Sequence, residues 1–442
     1  MNSVVAVICN YNKKDFVLGC IESVLASNFK DFDLIVVDNA STDGSLEAII
    51  DQFGNELTIL VNEENLGGSG GFHRGMQYAM DKGVYDYIHL LDNDIIVDKD
   101  AIGSLYDYME KNEGTGVCGS LILRMDQPDF IQDYGAMIEI GNLGVRPLFH
   151  ATKDSNDLPN ILSCDYVAAC SAMYRTSVLK QVGIIDQNFF IYWDDMSLSW
   201  EIRLAGYRVQ ALRKSKVWHA HGIEEQTNTF GIYYFFRNKL YSFIKYCDDK
   251  DYQDLCDNLM KRLFRIFATN KDNPEVISTY LHALNDAAND VRGKAADHII
   301  KPISYVDEKF ANTFADKKKI LLVCATYEFN FTKLIKKLKS VTDSEIVIQT
   351  NYYEVPRIEG IKYRVRANKK AYDAVIKVCP HVLDEKKYDR SYRYIDRYMN
   401  QILDDADFDF VEHLDVNFAF FYHTYYGYFQ EKFDVLRKRY RG

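Results

Sequence analysis

Residues 87–94, YIHLLDND, decide the fold class of the chain. The first five residues predict a strand that is apolar except for His89, and Asp92, Asn93 and Asp94 follow it directly. Continuous apolar runs of this length are typical of strands buried on both faces of a mainly parallel sheet. In such sheets ligands bind at the carboxyl ends of the strands. The segment therefore predicts an α/β fold with polar, ligand-facing residues at one edge of its sheet.

Two earlier apolar runs end in the same way. The run 4–8 leads into CNYN (residues 9–12), and the run 34–37 leads into DNASTDGS (residues 38–45). Apolar residues at helical spacing lie between these runs, which is the alternation of strand and helix that builds a parallel sheet. We therefore expect polar side chains from three strands to meet at one sheet edge. The predicted elements are strands 4–8, 34–37, 57–61 and 87–91, and helices 17–25, 46–50 and 72–80.

The rest of the chain predicts short strands, a helix over 196–205, a helical stretch, and then a second, smaller α/β region. A charged stretch, 307–319, precedes this last region, so we place a domain boundary near 305–318. The expected domains are 1–230, a helical extension over 231–305, and a C-terminal α/β domain over 318–442. The helical extension contains predicted helices 233–246, 252–267 and 275–296. The C-terminal domain contains predicted helices 331–338 and 388–403 and predicted strands 320–324, 345–349 and 374–378.

Composition excludes several classes of protein. The 442 residues include 53 basic and 64 acidic side chains, giving a net charge of -11, so binding to nucleic-acid phosphates is not expected. No apolar run approaches the roughly 18–20 residues that span a bilayer, and no secretory leader is recognised. The nine cysteines contain no CxxC pair. We therefore expect free thiols, a reducing compartment and a cytoplasmic location.

The acidic pair Asp92 and Asp94 admits two interpretations. Carboxylates at positions i and i+2 of an extended chain project to the same side and can reach one ion. Divalent cations that carry phosphates prefer oxygen ligands and use one or two carboxylates. Asp and Asn are equally common in the turns that follow strands. The residue types alone favour neither interpretation.

The glycine-rich segment NLGGSGGFHRG, residues 65–75, opens the helix predicted at 72–80. Backbone amides at such a helix start can approach a pyrophosphate. The segment is not a Rossmann fingerprint, because His73 stands where the third glycine belongs, and it is not a P-loop, because no GK[ST] follows. A flexible connection with glycines in left-handed conformations is the commoner structure of such a segment.

Two further segments carry groups suited to chemistry. FFIYWDD, residues 189–195, places Asp194 and Asp195 behind an aromatic cluster, where a carboxylate can accept a proton from a hydroxyl or stabilise a helix N-terminus. VWHAH, residues 217–221, supplies two imidazoles, one of which can complete a metal site with the carboxylates of residues 92 and 94. An isolated histidine is more often structural, so this motif has weight only together with the others.

Taken together, seven segments in order resemble the inverting GT-A glycosyltransferases of family two. Within that family they are most similar to the rhamnosyl- and galactofuranosyl-transferases of cell-surface polysaccharide assembly. The resemblance covers about residues 3–300 and implies a GT-A fold, with a Rossmann-like sheet that binds a nucleotide sugar. The segments are CNYNKKDFVLGCIESVL, LIVVDNASTDGS, NLGGSGGFHRGM, LLDNDIIVD, FFIYWDDMSLSWEIRLAGYRV, VWHAHG and YYFFRNKL.

The resemblance implies a donor pocket with a divalent cation, Mn²⁺ or Mg²⁺, against the diphosphate of a nucleotide-sugar donor. The cation is held by Asp92, Asp94 and His219, with His221 as the reserve histidine. The donor-binding residues implied are Asn10, Tyr11 and Asp38 near the nucleobase and ribose, Asn65, Gly67, Gly68 and Arg74 near the sugar and diphosphate, and Asp92 with Asn93.

The resemblance also implies how an acceptor is activated. Asp195 matches the general base, which takes the proton of an acceptor hydroxyl as its oxygen attacks the anomeric carbon from the face opposite the nucleotide. Tyr192, Trp193 and Asp194 are the expected acceptor-binding residues, with ordinary core packing as the alternative for the two aromatics. The sequence departs from the family where an acidic residue and an arginine commonly follow the base, since Ser197 and Glu201 stand there.

Two other functions remain open at this stage. A sugar-phosphate nucleotidyltransferase uses a similar sheet and paired acids, but it usually carries a basic, glycine-rich loop after the first strand, where this chain has CNYNKK. A non-catalytic nucleotide-sugar-binding protein does not need the acidic set of residues 92, 94 and 195. dTDP-rhamnose and UDP-galactofuranose are the expected donors, ahead of UDP-hexoses, and a glycan or lipid-linked glycan is the expected acceptor.

The C-terminal segment lies outside the resemblance. Its aromatic run 418–429 is followed by four basic residues between 437 and 441. We expect this run to pack against the catalytic domain or a second subunit. Peripheral contact with a membrane that carries a lipid-linked acceptor is the alternative, because aromatic and basic residues act together at membrane surfaces.

Overall fold

The structure is a computed structural model that describes residues 2–220, 227–303, 308–326, 329–352 and 355–441. The first half of the chain forms one large mixed sheet and a separate hairpin. The strands are β1 (Val4–Asn10), β2 (Phe32–Asp38), β3 (Thr58–Val61), β4 (Tyr87–Asp92), β5 (Ile95–Val97), β6 (Thr115–Arg124), β7 (Ile131–Asp133), β8 (Ala136–Glu139), β9 (Gly144–Pro147), β10 (Ile161–Cys164), β11 (Ser171–Arg175) and β12 (Arg208–His219); β8 and β9 form the hairpin.

The large sheet contains a switch in strand order that defines a crevice. β1 lies between β2 and β4 and is parallel to both, and β3 continues the parallel part beyond β2. Beyond β4 the order continues with β11, β6, β12 and β10. The carboxyl ends of β1 and β4 border the place where parallel sheets bind ligands. Asn10 and Asp92 end these two strands, and Asp38 ends β2 beside them.

Helices cover both faces of this sheet, as its apolar runs predict. On one face α1, α2 and α4 pack against Val4 and Ala6, and on the other α3, α5 and α6 pack against Val5 and Val7. The side chains of these four β1 residues are fully buried, and the burial of each valine stabilises the fold by roughly 1.5–3 kcal/mol. The helices are α1 (Lys14–Leu25), α2 (Ser45–Phe53), α3 (Gly67–Lys82), α4 (Ala101–Glu110), α5 (Thr176–Val182) and α6 (Asp194–Leu204).

The glycine-rich segment is the first turn of a helix rather than a flexible connection. α3 begins at Gly67, five residues before the predicted start. A Cβ on Gly71 would lie 2.0 Å from Cys9 Sγ, and one on Gly75 would lie 2.3 Å from Val7 Cγ1. These glycines therefore let α3 lie directly against β1, which brings the N-terminus of α3 close to the crevice.

A group of helices follows the large sheet and shares one core with the end of the chain. The helices are α7 (Phe230–Tyr246), α8 (Tyr252–Thr269) and α9 (Pro274–Ala288). α9 ends eight residues before the predicted end, because Asp290 and Gly293 have left-handed backbone conformations with φ of 59° and 71°. The rest of this group is the last helix of the chain, described below.

A second sheet lies in the C-terminal part. Its order is β15-β14-β13-β16-β17-β18, parallel except for the last strand, with α10 and α11 packed on it. The elements are α10 (Glu308–Phe314), β13 (Lys319–Cys324), α11 (Phe331–Lys339), β14 (Glu345–Gln349), β15 (Lys362–Arg364), β16 (Ala374–Cys379), β17 (Arg393–Asp396), β18 (Gln401–Ile402), α12 (Asp405–Glu412) and α13 (Leu414–Arg441).

The helix predicted over 388–403 is wrong, because this segment contains β17 and β18. The side chain of Asp396 accepts hydrogen bonds from the backbone amides of Tyr398 and Asn400, and Met399 has φ of 65°. This turn reverses the chain and makes β18 antiparallel to β17. The buried aspartate, which the periodicity of apolar residues does not reveal, decides the structure here.

The aromatic run 418–429 lies in α13, a 28-residue helix that the sequence did not predict. Phe421, Phe429 and Phe433 are buried in the same core as α7, α8 and α9. The Phe421 ring lies 5.5 Å from that of Phe264 on α8. The run therefore packs on the helical group. Among the described residues, no helix combines the length and the apolar character needed to cross a bilayer.

Candidate active site

Two carboxylates and an imidazole meet at the carboxyl end of β4. His219 Nε2 lies 3.1 Å from Asp94 Oδ1 and 3.9 Å from Asp92 Oδ2. Asp94 and His219 are each 8% exposed, whereas the Asp92 side chain is 37% exposed. His219 thus lies beside both carboxylates that were predicted as metal ligands. His221, the reserve histidine, lies outside the described residues.

Strand pairing brings His219 to this position from more than a hundred residues away. The chain continues from Asp94 into β5, and β5 pairs with β12 so that Ile95 lies opposite His219. Gln132 Nε2 lies 2.9 Å from Nδ1 of the imidazole and holds the ring with Nε2 toward the carboxylates. A hydrogen-bonded outer partner of this kind is typical of histidines that bind metals.

The charge distribution of the cluster suits a cation. Burial opposes ionisation of Asp94, but the hydrogen bond with His219 and the charge of Lys13 outweigh it and hold the pKa of Asp94 below its ordinary value. Burial raises the pKa of Asp92, although the nearby His219 and Lys13 oppose this effect. Burial would lower the pKa of His219, but the hydrogen bond to Asp94 and the two negative charges raise it.

Two neighbours of this cluster were not identified from the sequence. Lys13 Nζ forms an ion pair of 3.0 Å with Asp94 Oδ2. The Cys170 thiol lies in a group with Asp92 and His219 whose ligand atoms are all within 4.8 Å of one another. Lys13 stands in the quoted segment CNYNKK and lies next to the first strand, but Cys170 carried no signal because it falls in the apolar stretch before β11.

A chain of polar side chains joins the ends of β1, β2 and β4. Asn10 Nδ2 donates to Asp38 Oδ1 at 3.3 Å and to Ser41 Oγ at 3.2 Å. Asn93 Nδ2 donates to Asn10 Oδ1 at 2.8 Å. Asn10 and Asp38 are at most 1% exposed. The three strand ends expected to meet are therefore joined directly by their side chains.

Asn39 connects this chain to the start of α3. Its Nδ2 donates to Asn65 Oδ1 at 3.0 Å and to the carbonyl of Gly67 at 2.9 Å, while its Oδ1 accepts from Asn62 and from the Leu66 amide. Asn39 lies in the quoted segment DNASTDGS, but the sequence pattern did not predict that it binds the start of α3. We call the connected set Asn10, Asp38, Asn39, Asn65 and Asn93 the donor edge.

The remaining predicted donor residues differ in how closely they join the donor edge. Gly67 lies at its end, accepting from Asn39, and Gly68 faces open space, since a Cβ there would have no atom within 4 Å. Tyr11 follows β1 and is 42% exposed. Arg74 lies two turns into α3 and is exposed, and the structure shows no contact between it and the donor edge within the described residues.

The loop before Asp194, residues 189–193, has an unusual backbone. Phe190, Tyr192 and Trp193 have φ of 67°, 66° and 70°, which costs of order 1–3 kcal/mol at each such residue. A Cβ on Gly67 would lie 2.0 Å from the carbonyl oxygen of Phe190, so only glycine fits at the start of α3. The loop is thus pressed against the N-terminus of α3. We call residues 189–195 the acceptor loop.

Two buried side chains of α7 hold the acceptor loop in place. Asn238 Nδ2 donates to the carbonyls of Phe189 and Ile191 at 2.8 and 2.7 Å, and Arg237 Nη2 donates to the former at 3.1 Å. Arg237 and Asn238 are fully buried. The segment YYFFRNKL carried the family resemblance without a stated role for either residue. An arginine and an asparagine inside an aromatic helix are the signal that points to this buried support.

Asp195 is fixed by three hydrogen bonds. Its Oδ2 accepts from the Ala169 amide at 3.0 Å and from the Tyr166 hydroxyl at 3.3 Å, and its Oδ1 accepts from the Met196 amide at 2.8 Å. Burial raises the pKa of Asp195 to about 6 against the effect of these amides, and the charge of Asp92 raises it further. Asp92 therefore lies near enough to Asp195 for its charge to act on that carboxylate.

The predicted acceptor-binding residues have different environments. Burial and the charge of Asp195 raise the pKa of Asp194 to about 7. Tyr192 is 36% exposed and contacts the ring of Phe235, itself 46% exposed. Trp193 is only 7% exposed, and its indole Nε1 donates to the carbonyl of Phe235 at 2.9 Å. An exposed sugar platform is therefore available at Tyr192 but not at Trp193, which lies in the core.

The two departures from the family form a contact between α6 and α7. Ser197 Oγ lies 2.8 Å from the Tyr246 hydroxyl, which donates to Glu201 Oε1 at 2.9 Å. Glu201 also forms an ion pair of 2.6 Å with Lys245. Ser197 and Glu201 therefore join α6 to α7.

With this geometry established, the chain can be compared with known proteins. Residues 5–183 match the family described as "Glycosyl transferase family 2". This part of the chain is therefore similar to family 2 glycosyltransferases. The matched range includes the donor edge and Asp94, and it ends before Asp195 and His219.

Curated relatives share this domain at low identity. Poly-beta-1,6-N-acetyl-D-glucosamine synthase of Staphylococcus aureus (strain MSSA476) is 25% identical over 202 residues, which is 45% of this chain and 45% of that protein. The synthase of the same description from Staphylococcus epidermidis is 22% identical over 210 residues, 47% of each chain. The chain thus spans less than half the length of the curated relatives it matches.

Solved structures give matches of limited extent. S. aureus TarS is 17% identical, with a TM-score of 0.44, and covers 68% of this chain and 50% of its own. GalNAc-T7, solved with UDP, GalNAc and Mn²⁺, is 14% identical, with a TM-score of 0.45, and covers 65% of this chain and 54% of its own.

Proposed function

We propose that this protein is a glycosyltransferase that moves a sugar from a nucleotide-diphosphate donor to an acceptor hydroxyl with inversion, by a metal-assisted single displacement. The observation that carries the proposal is that Asp195, on the acceptor loop, lies near enough to the Asp92–Asp94–His219 cluster at the sheet edge for the charge of Asp92 to act on it. The family 2 domain supports the class of reaction.

The donor set at the sheet edge fits a divalent cation. The imidazole of His219 lies 3.1 Å from Asp94 and 3.9 Å from Asp92, and carboxylate oxygens suit Mn²⁺ or Mg²⁺. The imidazole favours Mn²⁺, since nitrogen ligands suit transition metals better than Mg²⁺. When bound, the cation neutralises the charge that develops on a departing diphosphate. Asp92, Asp94 and His219 would hold it.

Asp195 has the geometry of a general base. Its Oδ2 already accepts two hydrogen bonds and its Oδ1 only one, so Oδ1 keeps a lone pair for the proton of an acceptor hydroxyl. With a pKa of about 6 it is ionised near neutral pH and still basic enough to take that proton. Attack by the acceptor oxygen on the side away from the nucleotide needs no enzyme nucleophile, and it inverts the anomeric carbon.

The donor sugar, the acceptor and the location are the finer parts of the proposal. Sequence resemblance favours dTDP-rhamnose or UDP-galactofuranose and a glycan or lipid-linked glycan acceptor. The relatives are named for a polymer of N-acetylglucosamine, which adds UDP-N-acetylglucosamine to the donors to be tried. The nine free cysteines support a reducing, cytoplasmic location. Exposed Val416 and Phe420 on α13 leave peripheral membrane contact or self-association as parts of the proposal to be tested.

The two other functions are less well supported. A nucleotidyltransferase is disfavoured because the first strand ends in Asn10, whose side chain is tied to Asp38, and no glycine-rich phosphate loop follows. A non-catalytic sugar-nucleotide-binding protein gives no reason for a desolvated carboxylate at Asp195.

Thermal melting with nucleoside diphosphates and Mn²⁺ tests the donor site. A nucleotide present at about 100 times its Kd stabilises the fold by roughly 2.7 kcal/mol. We expect UDP or dTDP to raise the melting temperature only when Mn²⁺ is present, and we expect Asp94→Asn to abolish the effect. Absence of stabilisation by every nucleoside diphosphate would overturn the proposal. A transfer assay with the stabilising nucleotide's sugars then identifies the donor.

A further inference from the structure

A buried lysine without an acidic partner lies beside the acceptor loop. Lys239 is 4% exposed, and its Nζ lies 5.2 Å from the centre of the Trp193 ring and 5.0 Å from that of Phe235. The structure shows no carboxylate within ion-pair distance of it among the described residues. Burying an ammonium group without a paired charge is costly, so such a group calls for an explanation.

The next lysine on the same helix shows what a purely structural cation looks like here. Lys245 lies six residues later on α7, is 38% exposed, and forms an ion pair of 2.6 Å with Glu201. Lys239 is far more buried and has only aromatic faces around it. Cation–π contacts recover part of the cost of desolvation, about 0.5–2 kcal/mol, but they provide no counter-charge.

A second basic residue, Arg262 on α8, acts on the charge of Lys239. Burial and the charge of Arg262 on α8 lower the pKa of Lys239 to about 7. Arg262 donates to the backbone carbonyl of Asn142 at 3.1 Å, in the hairpin between β8 and β9, and no described carboxylate forms an ion pair with it. The charge of Arg262 thus reaches Lys239, and no described carboxylate forms an ion pair with either residue.

The position of this pair relates it to the acceptor rather than the donor. Trp193, which covers Lys239, is two residues before Asp195, and the exposed rings of Tyr192 and Phe235 lie next to it. The cations of the donor side belong to another element, since Lys13 pairs with Asp94 at the sheet edge. An anion held by Lys239 would therefore lie behind a sugar resting on Tyr192 and Phe235.

We propose that Lys239 and Arg262 form a subsite for an anionic group, a phosphate or a carboxylate, carried by the acceptor. This inference rests on the proposed function and adds the substrate class to it: the acceptor is an anionic glycan or a phosphate-linked sugar. The aromatic rings contact the sugar, and the two cations bind the charge beside it.

Binding of three matched sugars tests the subsite. Glucose 1-phosphate, glucuronate and methyl glucoside share a ring and differ in charge, and their binding is followed by saturation-transfer NMR. The full-length protein is first loaded with UDP and Mn²⁺, so that a phosphate cannot occupy the donor edge instead. We expect at least one charged sugar to bind about tenfold or more tightly than methyl glucoside, as charge-assisted contacts predict. Tighter binding of glucose 1-phosphate than of glucuronate identifies the anion as a phosphate, and the reverse order identifies it as a carboxylate.

Variants assign the effect to these residues. Lys239→Met keeps the length of the side chain and removes its charge, and it should reduce the charged sugars to the affinity of methyl glucoside. Lys245→Met is its control on the same helix and should leave the preference intact. Arg262→Met, with exposed Lys261→Met as control, gives the same test from α8 should the first variant fold poorly.

The outcomes separate this inference from the proposed function. Failure of UDP and Mn²⁺ to bind contradicts the proposed function. Normal loading followed by equal affinity for the three sugars contradicts the subsite alone, as does an undiminished preference in both Lys239→Met and Arg262→Met.

Discussion

The donor edge and the acceptor loop are built in different ways. The donor edge consists of side chains at the ends of neighbouring strands, and they bind one another within the first hundred residues of the chain. The acceptor loop has a strained backbone and depends on Arg237 and Asn238, more than forty residues later. A sheet edge is therefore rigid by construction, whereas a loop that presents a base must be held from outside.

Replacing the base should have the largest effect. Asp195→Asn keeps the size of the side chain and removes its ability to take a proton, so we expect turnover to fall by roughly 100- to 10,000-fold. Donor binding, measured by calorimetry with UDP and Mn²⁺, should stay within about twofold, because the acceptor loop contributes no group to the donor edge. Asp107→Asn, on the exposed face of α4, is the control. Transfer at the normal rate by Asp195→Asn would show that another group is the base.

Replacing a metal ligand should affect the donor side of the site and not the acceptor loop. Asp94→Asn removes the carboxylate whose pKa is held lowest in the cluster, and we expect Mn²⁺ affinity to fall by at least about 10- to 100-fold. The measurement is Mn²⁺ binding by electron paramagnetic resonance, which does not require activity. Asp107→Asn again serves as the control. Unchanged Mn²⁺ affinity would remove Asp94 from the metal site.

Two asparagine variants separate the regions directly. Asn238→Leu removes the side-chain donor of the Ile191 carbonyl and leaves the Phe189 carbonyl only Arg237, and an unsatisfied buried group costs about 1–3 kcal/mol of unfolding free energy. We expect kcat to fall about tenfold through loss of alignment, with little change in the KM for the donor. Asn39→Leu breaks the donor edge and should instead raise the KM for the donor.

The same pattern of kinetic change in both variants would contradict this separation. Chemical denaturation of each variant shows whether enough folded protein remains for the kinetic comparison. Asn258→Leu on α8 serves as a control, because that side chain binds an exposed carbonyl, Gly141, away from the loop.

The same difference explains how much the sequence could predict. The α/β class and the buried strands follow from the spacing of apolar residues. The meeting of Asn10, Asp38 and Asp92 follows from their positions at the ends of neighbouring strands. The role of Asn39 was missed although it lies in a recognised segment, since its four side-chain hydrogen bonds all go to residues 62–67, more than twenty positions further along the chain.

Tertiary contacts decided what the sequence could not show. The helix predicted over 388–403 was replaced by two strands because the buried Asp396 binds the backbone of a turn. The 28-residue helix α13 was missed because its aromatic residues contact α7, α8 and α9 on several sides, which hides a simple amphipathic period. The early start of α3 depends on the close approach of Gly71 to Cys9.

The pH dependence of turnover sharpens the assignment of Asp195. The base must be ionised, so a raised pKa means that activity is lost as pH falls. We expect kcat/KM to fall about tenfold per pH unit below about 6 and to be level above it. A bound cation offsets the charge of Asp92, which contributes to this raised pKa, so the acid limb of the metal-loaded enzyme should lie at or below that pH. If the fall of kcat/KM at low pH is the same in Asp195→Asn as in the native protein, it reflects the ionisation of a different group.

The smallest effect is expected at Cys170, which borders the metal cluster without being needed by a hard cation. Mn²⁺ is satisfied by oxygen and imidazole ligands, so Cys170→Ser should change Mn²⁺ affinity by less than about twofold. Cd²⁺ is a soft ion that binds thiolates, and it should bind the native protein with an ultraviolet sulfur–metal absorption band. That band should disappear in Cys170→Ser and persist in Cys324→Ser, a control in the second sheet. Because Cys170 reaches both Asp92 and His219 within 4.8 Å, a band that persists in Cys170→Ser would mean that Cd²⁺ binds elsewhere and that the thiol does not face the cation position.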